Sequence, residues 1–235
     1  MKKHGKKYKA AKALVTQKVY GLDEAVALLK KTSITKFDAT CEIHVLLGID
    51  SKQSDQMVRA TVALPHGTGK ETRVIAFVTE EKVKDCKGAG AIKAGADELI
   101  SEIEKGWLDF DVAVATPDMM KNLGKISKIL GPKGLMPNPK AGTVTTDVLN
   151  TIAQIKKGKV EFKNDKFGVI HNIFGKISFD EKNLRENLVA FLKALNEAKP
   201  SGVKGIFIKG ISVTTTMGPG INLDVTQTLT DIKTL

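Results

Sequence analysis

The basic residues of this chain are concentrated at its two ends. Residues 1–65 carry 12 basic and 6 acidic side chains and residues 159–235 carry 11 and 8, whereas residues 66–158 carry 14 and 12. Breaks rich in Pro, Gly and Lys flank that middle part, at Pro65–Gly69 and Lys156–Lys159. This distribution predicts a discontinuous anion-binding domain of residues 1–66 and 159–235, with a second domain of residues 67–158 inserted into it.

The total charge indicates a polyanionic partner. The chain has 235 residues, a net charge of +11 and a pI of about 9.5, which suits nucleic acid or an anionic membrane surface. No apolar run approaches the roughly 18 residues of a membrane span, and the basic start Met1–Lys7 is not followed by the apolar stretch of a signal peptide. Cys41 and Cys86 show no CxxC spacing, which is typical of free thiols in a reducing cytosol. We therefore expect a cytoplasmic protein that does not bind membranes.

The outer segments have the pattern of an α+β domain. Alternating apolar and polar residues from Phe37 to Ile49 predict a strand with one buried face, and Leu22–Lys31 reads as a helix with acids first and lysines last. The other predicted elements are strands at Met57–Leu64, Val160–Asn164, Gly168–Phe174 and Val203–Val213, and a helix from Asp180 to Pro200.

The middle segment has a different pattern of predicted elements. Short β-rich runs at Arg73–Val78 and Asp111–Ala115 alternate with helical stretches near residues 80–95, 117–130 and 145–157. This alternation predicts a small three-layer, Rossmann-like α/β domain on a parallel sheet. The predicted fold class of the whole chain is therefore α/β.

A rigid loop is predicted at Gly131–Gly142. The run holds three glycines and three prolines, which disfavour both a helix and a ladder strand because proline lacks a backbone donor and glycine loses much entropy in regular elements. Lys133 and Lys140 lie on this preset backbone, so the loop suits contact with an anion, although such loops are also common as plain connectors.

The sequence offers no catalytic, metal or cofactor site. Gly67–Glu71 lacks the first glycine and the hydroxyl residue of a phosphate-binding loop, and it reads instead as a hinge that includes Pro65, His66 and Gly67 at one crossing and Gly158 and Lys159 at the other. The four histidines have no metal-ligand spacing among themselves or with cysteines. We therefore expect that the chain is not an enzyme.

The residues that remain favour recognition of a structured RNA by shape. Aromatic residues make up only 5% of the chain, so base stacking is disfavoured, while Thr214–Gly218 offers hydroxyls, a flexible thioether and a glycine for close approach. A plain edge turn explains the same run. Likewise Phe37 reads as a core residue, Lys166 and His171 as solvated surface, and Lys2, Lys3, Lys6, Lys7 and Lys9 as a disordered basic arm, when each is taken alone.

Two strings together resemble the uL1-type family of large-subunit ribosomal proteins, which form the mobile stalk beside the tRNA exit site. They are Gly131–Gly142 and Val213–Pro219, and the similarity extends through Leu64–Lys70 and Asp109–Asp111. The resemblance implies a first domain made from both chain ends, with an RNA-contact surface on it. Carried over, that surface consists of Lys36, Phe37, Thr40, Glu42, Lys166, His171, Thr215, Thr216, Met217 and Gly218. Gly210 stands where some members carry serine, and the residues beyond Val225 match no family pattern.

The resemblance also implies a function without catalysis. The chain would be a monomeric constituent of the large ribosomal subunit that binds the 23S rRNA stalk, assists release of deacylated tRNA from the exit site, and represses its own operon mRNA. A general basic nucleic-acid chaperone would explain the charge equally well. A nucleotide-dependent α/β enzyme is the other alternative, and it requires a phosphate-binding loop in the middle segment.

Overall fold

The computed structural model describes residues 5–234, which divide into two compact units. Unit 1 comprises Met1–Gly69 and Glu161–Leu235, and unit 2 comprises Lys70–Val160. In the structure the boundaries fall after Gly69 and after Val160, whereas the sequence predicted them after residues 66 and 158, three and two residues earlier. Of the expected basic arm, Lys2 and Lys3 lie outside the described residues.

Unit 1 begins with two helices and two strands. They are α1 (Lys6–Ala13), α2 (Leu22–Thr32), β1 (Thr40–Leu47) and β2 (Arg59–Ala63). For Lys6, Lys7 and Lys9 the expectation of a disordered arm is wrong, because these lysines belong to α1. Lysine and alanine both favour helix, and Ala11 is buried.

Unit 2 is a parallel sheet between two layers of helices. Its elements are β3 (Val74–Phe77), α3 (Glu80–Gly88), β4 (Lys93–Gly95), α4 (Asp97–Glu104), β5 (Val112–Ala115), α5 (Met120–Leu123), α6 (Ser127–Leu130) and α7 (Val148–Lys156). The strand order is β4-β3-β5. On β3, Val74 and Ala76 pack with α3 and α7, whereas Ile75 and Phe77 pack with α4 and the segment 119–130. The predicted α/β class is confirmed.

Three local expectations for unit 2 are corrected, and one helix was missed. The helix expected to reach residue 95 ends at Gly88 and gives way to β4, since Gly90 adopts a φ of 103° that ends the helix. The stretch 117–130 is broken into short α and 3₁₀ pieces around Pro117 and Gly124. Helix α4 was not expected, and one 3₁₀ turn, Pro139–Ala141, forms inside the predicted loop.

The second part of unit 1 completes its main sheet. The elements are β6 (Lys159–Lys163), which starts at the unit boundary, β7 (Val169–Lys176), α8 (Glu181–Glu197), β8 (Ile208–Thr215), β9 (Ile221–Leu223) and α9 (Val225–Thr234). The antiparallel order is β7-β1-β8-β9, while β2 and β6 form a separate pair. Strand β1, from one end of the chain, is therefore flanked by two strands from the other end.

One face of the four-stranded sheet forms the core of unit 1. Cys41, Ile43 and Val45 of β1 are fully buried against this core, to which α2 and α8 contribute Leu29 and Leu188. Burial raises the pKa of the Cys41 thiol to about 12, so this cysteine stays protonated and unreactive.

The end of the chain differs from the sequence-based expectation. The last long strand starts at Ile208 rather than at Val203, because Gly205 turns the backbone with a φ of 86° just before it. Helix α9 occupies the residues that match no family pattern. Its start is marked by Asp224, whose Oδ1 accepts the Gln227 N–H at 3.0 Å.

Candidate nucleic-acid interface

The other face of the main sheet is polar and accessible, and we call it the open face. Because strand side chains alternate, the residues between the buried positions of β1 point away from the core. The open face comprises Thr40, Glu42, His44 and Leu46 on β1, His171, Ile173 and Lys176 on β7, and Ser212 and Thr214 on β8; their side chains are half-buried or exposed.

Three strands meet at one end of the open face, around Thr40. The Thr40 N–H donates to Thr216 Oγ1 at 3.1 Å, and the Thr216 N–H donates to the Thr40 carbonyl at 3.0 Å. From the other side, Lys176 Nζ donates to Thr40 Oγ1 at 2.9 Å. Sequence reasoning missed Lys176, although its place opposite Thr40 follows from the pairing of β1 with β7.

The turn that follows β8 presents Met217. Its side chain is 71% exposed, and its φ of 68° makes it the one non-glycine residue with positive φ in the described part of the chain. The turn is closed by the Gly218 N–H, which donates to the Thr215 carbonyl at 2.7 Å. The hydroxyl of Thr214 lies within 3.3 Å of the carbonyls of Gly218 and Pro219. The turn is therefore well fixed.

Thr215 lies beneath this turn. Its side chain is 1% exposed, and its Oγ1 has no hydrogen-bond partner among the described residues. A Cβ placed on Gly218 would lie 2.3 Å from that Oγ1. Of the residues that the resemblance assigns to the RNA-contact surface, Thr215 thus supports the turn from below, while Thr216 and Met217 face outward.

Lys36 and Phe37 precede the same end of the sheet. Both are exposed, Phe37 by 59%, so the reading of Phe37 as a core residue is wrong. The backbone is nevertheless fixed, because the Asp38 carboxylate accepts the N–H and the hydroxyl of Ser178 at 3.0 and 2.8 Å. Phe37 is an aromatic side chain held out on a fixed segment three residues before Thr40.

A pair of histidines lies further along the open face. The Nδ1 atoms of His44 and His171 are 2.8 Å apart, a hydrogen bond that requires one ring nitrogen to be unprotonated. Burial, and then the neighbouring His171, lower the pKa of His44 below its ordinary value. Glu42 and Asp165 lie 3.8 and 3.6 Å from the outer nitrogens of the two rings.

The ten residues of the predicted surface do not form a single cluster. Lys36, Phe37, Thr40, Thr216, Met217 and Gly218 share one end of the open face. His171 lies opposite His44, about 13 Å along β1 from Thr40. Lys166 lies beyond it, exposed on the turn before β7, where its carbonyl accepts the Ser51 hydroxyl at 2.5 Å.

The first crossing between the units is fixed to α8. Buried Asn187 accepts the His66 N–H at 3.0 Å and donates to the carbonyls of Gly67 and Phe174, both at 2.9 Å. Pro65 is exposed, and Gly67 has a φ of 66°. At the second crossing Gly158 has a φ of 106° and is followed by Lys159. A hinge role for these residues stays a prediction.

The features expected of a phosphate-binding loop, a membrane span or a metal site are not seen in residues 5–234. The Gly67–Glu71 loop leads into strand β3, whereas a phosphate-binding loop precedes a helix. No helix in this range is both long and apolar enough to cross a bilayer. In the same range, no three His, Cys, Asp or Glu side chains converge to hold a metal ion.

Comparison with known proteins gives consistent matches. The model of the ribosomal protein L1p/L10e family matches residues 29–219. The large ribosomal subunit protein uL1 of Kosmotoga olearia is 53% identical over 225 residues, which cover 95% of this chain and 97% of that protein. The proteins of the same name from Thermosipho africanus and Chloroflexus aggregans are each 52% identical, over 95% and 96% of this chain and 97% of each relative.

Proposed function

The chain belongs to the ribosomal protein L1p/L10e family, and we propose that it binds the stalk of the 23S rRNA through the open face of unit 1. Membership of this family of structural ribosomal proteins confirms the predictions that the chain is a ribosomal protein and not an enzyme. Its place is the large subunit of the cytoplasmic ribosome, where we propose that it acts as a single copy without a cofactor.

The observation that carries the proposal is the end of the open face around Thr40. Three strands and a fixed turn present threonine hydroxyls and the projecting Met217 side chain within one small area. These groups suit RNA backbone and 2′-hydroxyls, which offer both donors and acceptors on a folded RNA surface. Because internal hydrogen bonds already hold the turn, little conformational entropy is lost on binding.

Basic side chains on and around this area, exposed at Lys36 and Lys166 and half-buried at Lys176, supply affinity. Lys36 lies beside it, Lys176 lies within it and Lys166 lies at the far end of the open face. Contacts of lysines with phosphates strengthen binding without selecting a sequence, and they weaken as salt rises. The proposal therefore assigns fit to the turn and the Thr40 pair, and salt-dependent affinity to the lysines.

Two finer roles follow from this interface. A pre-formed face that reads shape also accepts an mRNA segment with the same local shape, which supports repression of the chain's own operon message. A stalk protein with a hinge at Pro65–Gly67 and Gly158–Lys159 would move with the stalk and assist release of deacylated tRNA from the exit site. Both roles rest on stalk binding.

The test is a titration of the full chain with labelled stalk rRNA and with a shuffled RNA of equal length, at two salt concentrations. We expect tighter binding of the stalk RNA at both concentrations. Thr216→Val removes the hydroxyl that bonds Thr40, so it should cost about 1 to 3 kcal/mol, or about 5- to 150-fold in Kd, for the stalk RNA alone. Thr226→Val, at an exposed position of α9, is the matched control.

Equal affinity for the two RNAs at matched salt would favour the general nucleic-acid chaperone, whose binding is counterion release alone. An unchanged Kd for Thr216→Val would remove the turn from the interface. A loss of the same size for the Thr226→Val control would mean that the effect is not local to the open face.

A further inference from the structure

We propose that unit 2 carries a second RNA-binding surface, which contacts the phosphate backbone of a structured RNA. The surface consists of five exposed lysines, here called the lysine stripe: Lys121, Lys125, Lys128, Lys133 and Lys140. It lies in a different unit from the open face, and it does not depend on stalk binding.

The positive charge of unit 2 is concentrated in the segment that carries the stripe. Residues 70–160 carry 15 basic and 12 acidic side chains, and the segment 119–142 contributes five lysines to that total and no acid. The rest of the unit therefore holds ten basic and twelve acidic side chains. A small overall charge conceals one strongly positive segment, which attracts polyanions locally.

The backbone directs three of these lysines away from the core. In the segment 119–130, three of the four buried residues are each followed, two positions later, by an exposed lysine. The pairs are Met119 with Lys121, Leu123 with Lys125, and Ile126 with Lys128. Lys121, Lys125 and Lys128 are all exposed within eight residues of chain, so together they can contact phosphates of one RNA strand.

The other two lysines stand on a shaped loop. Asn138 Oδ1 accepts the Lys140 N–H, and the Asn138 N–H donates to Thr143 Oγ1, both at 2.8 Å. Pro137 is buried and Gly134 takes a φ of 71°. The loop backbone is thus fixed by its own contacts, and it adds two exposed lysines to the three of the helical segment.

Among the described residues, the stripe lysines have no carboxylate partner, in contrast to Lys70, Arg73 and Lys93 of the same unit. Lys70 and Arg73 pair with Asp111, and Lys93 pairs with Glu102. Within residues 5–234, none of the five stripe lysines forms an ion pair. Five like charges without internal compensation repel one another, and an anionic partner relieves that repulsion.

The chemistry of the stripe favours an RNA backbone over a lipid surface. A membrane-binding helix needs exposed apolar side chains beside its cations, but Leu135 and Met136 pack against the core of unit 2. No aromatic side chain interrupts the row, so base stacking is not involved. Lysines contact phosphates without reading bases, and the binding should be salt-sensitive and tolerant of sequence.

The experiment compares two triple variants of the full chain that lower the net charge equally. One replaces three stripe lysines, K121Q/K125Q/K128Q, and the matched control replaces three exposed lysines of α3, K82Q/K84Q/K87Q. The control lysines alternate with acids along α3 and so do not form a positive row. Lysine and glutamine have similar helix propensities, and circular dichroism checks that both variants fold.

The probes are bulk deacylated tRNA and the stalk rRNA fragment. We expect the stripe variant to bind tRNA at least tenfold more weakly at low salt, with a slope of log K against log salt that is smaller by about 2 to 3. The control should lose less than threefold, and both variants should keep their stalk affinity within about threefold. A loss of tRNA affinity in the stripe variant but not in the control would show that the position of the lysines matters and not only the net charge.

Equal loss of tRNA affinity in the two variants, loss in neither, or no measurable tRNA binding by the unmodified chain would overturn the inference. These outcomes are separate from failure of the proposed function, which shows itself as equal affinity of the unmodified chain for stalk and shuffled RNA.

Discussion

Replacing Gly218 by alanine tests whether the turn after β8 determines RNA fit. The new Cβ would lie 2.3 Å from Thr215 Oγ1, whereas real Cβ contacts are essentially never shorter than 3.0 Å, so the two atoms must separate by about 0.7 Å. The buried Thr215 side chain has little room to move. We therefore expect the exposed turn to shift instead.

The cost follows from the energetics of overpacking. Forcing an extra methyl group into a packed site costs about 1 to 3 kcal/mol. Because the turn can shift in the free protein, we expect this cost mainly when RNA requires the original turn. At about 1.4 kcal/mol per tenfold change, the Kd for stalk rRNA should rise by about 5- to 150-fold.

Fluorescence anisotropy with labelled stalk rRNA measures the effect, and urea unfolding checks that the fold is retained. The double variant Thr215→Ala with Gly218→Ala removes the hydroxyl that the new methyl group meets, so it should bind within about threefold of the unmodified chain. The reasoning is refuted if Gly218→Ala binds stalk RNA normally, or if the double variant binds as weakly as the single one.

Three further predictions concern stability. Asp111→Asn should lower the free energy of unfolding of unit 2 by about 1 to 3 kcal/mol, because the Asp111 carboxylate accepts charged hydrogen bonds. Asp109 is exposed, so Asp109→Asn should cost under about 0.5 kcal/mol. Similar losses for the two variants in urea melts would contradict this. Asn187→Leu leaves three backbone groups without partners and should cost about 3 kcal/mol or more by the same assay. The pKa of His44 lies below its ordinary value of 6.5, so protonation of this ring favours the unfolded chain. The contribution of His44 to stability is therefore complete above pH 6.5 and declines below it. His171→Gln should raise the pKa of His44 in an NMR titration and make this decline shallower, and an unchanged titration would exclude the coupling.

Hydrophobic periodicity predicted the layers of both units because it reports directly which face is buried. The alternation from Phe37 to Ile49 indicated β1, and the apolar runs at Arg73–Val78 and Asp111–Ala115 indicated the parallel strands. Periodicity failed where elements are short. Strand β4 has only three residues, and helix α4 follows it directly, so neither repeats its period long enough to stand out.

Part of the candidate interface was beyond sequence reasoning because it depends on strand register. Thr215 and Thr216 are adjacent and chemically identical, yet one is buried and the other faces outward. Only the pairing of β8 with β1 decides which is which. Lys176 was missed for the same reason, since it meets Thr40 across β7 and β1, 136 residues away.

The strand order of unit 1 has a consequence for synthesis of the chain on the ribosome. Strand β1 pairs with β7 and β8. The pairing partners of Thr40 and Cys41 are Lys176 and Thr215, which are synthesised 136 and 174 residues later. At about 5 to 20 residues per second, the two edges of β1 lack their partner strands in the nascent polypeptide for between about 7 and 35 s. A product released before Thr215 lacks a complete β8, so one edge of β1 stays unpaired. Premature termination should therefore yield fragments that aggregate rather than compete for ribosome assembly.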